Sequence, residues 1–141
     1  MKNFILFSNL TLAKDRTYNL MLTGESPTAD YSIVFHSRWW DQQCLAPIPY
    51  DFWCNVVDKT TMSTPCVFEK KITQYIPIGY LPNPDDDHDR LREFIFECFF
   101  DLYLAGFCIQ GSYEWEGVTY SIEPPPSTET LELPNDFMVA E

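Results

Sequence analysis

The sequence predicts an α+β fold: an antiparallel sheet of about five to seven strands packed on, or curled around, one long helix, with a hairpin closing the chain. Three observations carry this. Residues 83–107 hold a long stretch with helical periodicity. The segments before it are short β-type runs separated by turn residues. Residues 112–122 can fold back on themselves around Glu116-Gly117.

Taken in order, residues 2–7 form a near-continuous apolar run and read as a strand. Residues 8–16 mix polar and apolar side chains and read as a loop or a short turn of helix. Residues 18–23 alternate, with Tyr18, Leu20 and Leu22 on one face and Asn19, Met21 and Thr23 on the other, the pattern of a half-buried strand. Gly24-Glu25-Ser26-Pro27 is turn chemistry. Residues 31–37 alternate again, Ile33 and Phe35 against Val34 and His36. Pro47 and Pro49 cannot donate to a ladder, so residues 46–50 are expected to interrupt regular structure. Residues 52–57 read as a strand and 58–65 as a polar loop. Residues 66–80 have strand composition, and Pro77 confines their second half to a sheet edge.

The helix is expected over about residues 86–105. Asp85, Asp86 or Asp87 can cap its first amides, where negative charge is favoured. Pro84 suits the entry and Gly106 the exit. Leu91, Phe94, Ile95, Cys98, Leu102 and Ala105 follow the i, i+3, i+4, i+7 template. Phe96, Phe99, Phe100, Tyr103 and Phe107 widen that face, leaving a narrow acidic stripe of Asp89, Glu93, Glu97 and Asp101. In the closing hairpin Trp115 would face Val118, Tyr113 would face Tyr120, and Glu114 would face Thr119. Pro124-Pro125-Pro126 then ends regular structure. Residues 1–123 are expected to form a single globular domain. Residues 124–141 are read as an acidic, proline-containing, mobile tail, unless Phe137, Met138 and Val139 dock.

A chain of 141 residues with 45% apolar content can bury a real core in one domain. Aromatic residues make up 16%, so some rings should remain at the surface as contact sites. No run is long enough to span a membrane, and the apolar run at residues 4–7 is too short for a signal-peptide core. A cytoplasmic location is therefore expected. Five cysteines without a C-x-x-C pair read as reduced thiols.

Charge is one-sided. Residues 1–80 balance to zero, whereas residues 81–141 carry all of the net charge of −12. Such a field repels nucleic acid and anionic membranes and attracts basic protein surfaces.

The run from Asp85 through His88 to Asp89 lacks the spacing and glycine of a calcium loop. It reads as a dipole-stabilising helix start, with His88 solvated. His36, Cys44, Cys54 and Cys66 lack the close cysteine pairs of a zinc site. No nucleophile motif or glycine-rich phosphate loop is present. Neither a catalytic set, a metal nor a cofactor is predicted.

What remains is a binding surface. Acids four residues apart on a helix lie about 6 Å from each other, comparable to phosphates along one nucleic-acid strand. Asp85, Asp86, Asp87, Asp89, Glu93, Glu97 and Asp101 would form such a line. Glu114, Glu116 and the Trp39-Trp40 pair are further candidate contacts. The expected function is a small acidic, non-enzymatic binding protein of inhibitor type, docking on a basic, nucleic-acid-binding protein. Its composition resembles that of small acidic proteins of phages and mobile elements. One alternative is a small-ligand or hydrolytic domain with a pocket between sheet and helix. Another is a structural or assembly protein with a large apolar interface.

Overall fold

The computed structural model of the protein describes residues 4–14, 19–39, 48–76 and 84–123. Their elements run β1 (Ile5–Asn9), β2 (Thr11–Lys14), β3 (Leu20–Glu25), β4 (Tyr31–Trp39), β5 (Ile48–Asp58), β6 (Cys66–Ile76), α1 (Pro84–Ala105), β7 (Phe107–Trp115) and β8 (Val118–Ile122). The α+β class and the single long helix are as the sequence predicts. The eight strands, however, form two sheets. One has five antiparallel strands in the order β2-β3-β4-β5-β6, and the other has three in the order β1-β7-β8.

The five-stranded sheet follows the alternation of its strands. Leu20 and Leu22 on β3, Ile33 and Phe35 on β4, and Phe52, Cys54 and Val56 on β5 are all buried, while Met21 between its neighbours is exposed. Helix α1 lies on this inner face. Its Phe94 ring meets Phe52 at 5.7 Å and Phe35 edge-on at 6.3 Å between centroids. Leu91, Ile95, Cys98 and Leu102 complete the same cluster. Burying rings of this size dominates core stabilisation, at roughly 25 cal/mol per Å² of apolar area.

Several strand boundaries differ from the sequence reading, β1 running on through Ser8 and Asn9 and β4 through Trp39. Residues 11–14 form β2 rather than a loop, pairing Leu12 with Leu22. Only Leu12 is partly buried on this edge strand, so its alternation is faint. Gly24 and Glu25 continue β3, opposite Ile33 and Ser32, and the turn falls after them. Strand β5 begins at Ile48 and includes Pro49. Pro49 lies one residue beyond Tyr50, the last β5 residue in the described pairing with β4, so the missing N–H falls where the strand starts.

The closing hairpin has the expected register, with Trp115 opposite Val118 and Tyr113 opposite Tyr120. Glu116 (φ 50) and Gly117 (φ 80) take the two left-handed positions of a type I′ turn. Strand β7 also pairs in parallel with β1, Ile5 lying opposite Phe107 and Phe7 opposite Ile109.

The two sheets meet at Leu10, which separates β1 from β2 and is buried. Its side chain fills the space that a methyl group would need at Gly24 on β3, where a Cβ would stand 2.8 Å from Leu10 Cδ2, and at Gly111 on β7, at 3.2 Å from Cδ1. Two bare backbones, one from each sheet, therefore close around one leucine.

Among the described residues, no helix is long and apolar enough to cross a membrane. The proposed tail, Trp40 and Cys44 lie outside the described residues.

Candidate interaction surface

The acidic start of α1 divides between inside and outside. Asp87 is buried, and the Tyr50 hydroxyl donates to its Oδ1 at 2.7 Å. Asp87 is therefore not part of an exposed acidic line. A carboxylate without solvent must be met by donors, because an unmet buried charge costs several kcal/mol. Tyr50 reaches it from β5, stacked on Phe52 at 4.6 Å.

His88 departs further from the sequence reading. It is 2% exposed, not solvated. Its Nε2 lies 2.7 Å from the Tyr113 hydroxyl of β7, and its ring contacts Trp115 and Tyr120 at 5.5 and 4.6 Å. Arg92, one turn further along, donates to the same Tyr113 oxygen at 2.9 Å and to the Ser121 carbonyl at 3.1 Å. With Arg92 on one lone pair of that oxygen, the hydroxyl proton is free to point at Nε2. This suits a neutral imidazole. Burial and the Arg92 guanidinium together hold the His88 pKa below its ordinary value. Burial also pushes the Tyr113 phenol up, partly opposed by Arg92. The cluster anchors the first turns of the helix to the hairpin.

The remaining acids show which charge is left over. Asp86 pairs with Arg90 at 2.9 Å, and Arg90 also donates to Gln74 on β6. Asp101 accepts from Lys70 on β6 at 2.6 Å, which raises the lysine pKa. Asp89, Glu93 and Glu97 are exposed and form no ion pair with the described residues. The geometry of the helix explains the split. At 3.6 residues per turn, each four-residue step drifts by about 40°, so three steps carry the stripe about 120° round the helix. Asp89 looks outward, and Asp101 has reached the flank of the five-stranded sheet.

The same outward face carries Phe96 and Phe100, which the sequence reading places on the widened apolar face, together with Leu104. Phe96, Phe100 and Leu104 are 41%, 50% and 57% exposed. The Arg92 guanidinium lies 5.3 Å over the Phe96 ring at one end of this row.

Glu114 and Glu116 do not join the helix acids. Alternation on β7 turns Tyr113 and Trp115 towards α1 and leaves Glu114 exposed on the opposite side, with Glu116 in the turn. Trp39 ends β4 opposite Tyr50, and Trp40 lies outside the described residues.

Two hollows, of about 300 and 340 Å³, lie among the described residues. One is lined by β1, the β3–β4 turn and Tyr31, and the other by β1–β4 residues with Lys59. Neither is lined by a residue of α1, so neither is the pocket between sheet and helix that the ligand-binding alternative needs. Among the described residues, no group of three His, Cys, Asp or Glu side chains is placed to hold a metal. Cys54 and Cys98 are both buried where α1 crosses β5, and burial first, then Cys98, pushes the Cys54 thiol far up. They act as small apolar residues there.

No protein-family model, curated protein or solved structure matches the chain.

Proposed function

We propose that this chain is a non-enzymatic binding protein that docks the outward face of α1 on a basic surface of a nucleic-acid-binding protein, as an inhibitor would. The observation that supports the reading is the division of charge along α1. Asp86 and Asp101 are paired with cations of the chain itself, whereas Asp89, Glu93 and Glu97 are left facing outward. Partly buried carboxylates cost energy to leave unmatched, so those are matched internally. Exposed ones cost little, and together they form a field that steers basic partners. The rise of the helix spaces Asp89, Glu93 and Glu97 by about 6 Å, a spacing that a phosphate-binding groove can accept.

The test is affinity capture from a cell lysate with the full chain, at low and high salt. The expected result is that nucleic-acid-binding proteins are retained at low salt and released as ionic strength rises. The variant Asp89→Lys/Glu93→Lys/Glu97→Lys should lose that retention while keeping the parent's circular dichroism. Equal capture by parent and folded variant would overturn the reading.

A further inference from the structure

We infer that the element this face receives from its partner is a basic amphipathic helix, whose apolar side covers Phe96, Phe100 and Leu104 while its cations meet Asp89, Glu93 and Glu97. The inference rests on the docking reading above and specifies the partner's shape. Phe96, Phe100 and Leu104 are spaced i, i+4, i+8, with 41%, 50% and 57% exposure. Residues at that spacing form one of the ridges by which helices interdigitate. Their span is about 12 Å, or roughly two turns, which a single facing helix can cover. Arg92, held by Tyr113 and Ser121, closes one end of the ridge over Phe96.

Charge decides the occupant. Glu93 and Glu97 stand next to Phe96, and Asp89 precedes them on the same outward face. A second copy of this chain, laid ridge to ridge, would bring two rows of carboxylates together. An anionic membrane surface would be repelled in the same way. A helix with lysines or arginines beside an apolar stripe satisfies both the ridge and the acids.

The experiment uses the full chain and two labelled synthetic peptides of about 18 residues, long enough to hold a helix. Both are composed of leucine and lysine. In one, leucines recur at i, i+3, i+4, i+7, and in the other the same residues are scrambled so that no apolar face forms. Fluorescence anisotropy at low salt should show the patterned peptide binding about tenfold more tightly. The variant Phe100→Ser/Leu104→Ser removes half-exposed side chains, so the fold should stand, as circular dichroism will verify. It should reduce that preference to near unity while retaining weak, salt-sensitive binding of both peptides. Equal binding of the two peptides by the parent would overturn the inference and leave the charge reading intact. Binding of neither would remove both. Sedimentation showing a dimer at the working concentration, lost in Phe100→Ser/Leu104→Ser, would make a second copy the occupant and overturn the basic helix.

Discussion

His88 shows how a single position decides what the start of α1 is for. Enclosed by Tyr113, Trp115 and Tyr120, with Arg92 close by, it has its neutral form favoured. Its folded pKa lies below its unfolded value near 6.5. The unfolded chain therefore binds the proton more readily. The stability due to a neutral His88 is complete above that unfolded value and is lost as pH falls through the folded one. The charges of Asp89 and Asp85 nearby soften the shift without reversing it. Thermal melts between pH 5 and 8 should show the parent losing more stability on acidification than His88→Gln. Parallel profiles would mean that the imidazole does not titrate against folding. Neither His88 nor Asp87 was legible as an interior residue, because local composition points the other way. A run of acids at a helix start is stabilising when solvated. The tyrosines that enclose these two side chains come from β5 and β7, 37 and 25 positions away in sequence.

At the scale of the element, periodicity located α1 almost to the residue, and turn chemistry located the β7–β8 hairpin with its register. Both signals are local. The hairpin turn retains one mismatch: Glu116 holds φ 50, a left-handed conformation that asparagine adopts more readily. Glu116→Asn should raise the unfolding free energy by about 0.5 kcal/mol, read from the midpoint of urea denaturation. An unchanged or lower midpoint would place the strain elsewhere. Where elements differ from the sequence expectation, burial is the physical reason. Strand β2 sits at a sheet edge, and Phe96, Phe100 and Leu104 share the helix's apolar composition but are exposed. Hydrophobicity alone cannot distinguish a residue packed on the sheet from one left exposed.

For the molecule as a whole, the division into two sheets was not readable, because it depends on a parallel pairing between β1 and β7, whose residues stand about a hundred positions apart. No local pattern encodes such a contact. The pairing leaves no room at Gly111, where a Cβ would meet the Ser8 carbonyl oxygen at 2.6 Å, beside the register shift in β1. Gly111→Ala should therefore destabilise the fold by about 1–3 kcal/mol, measured by urea denaturation, since backbone rather than a flexible side chain must yield. A change within error would mean that the pairing relaxes there at little cost. This topology also fixes an order of events during synthesis. A nascent chain can assemble β2 to β6 as it emerges, but β1 stays without its neighbour until residues 107–112 have been made. Of the described strands, the one earliest in the chain waits longest for its sheet neighbour. A chain cut short before that point would carry an unpaired strand, a target for aggregation or proteolysis.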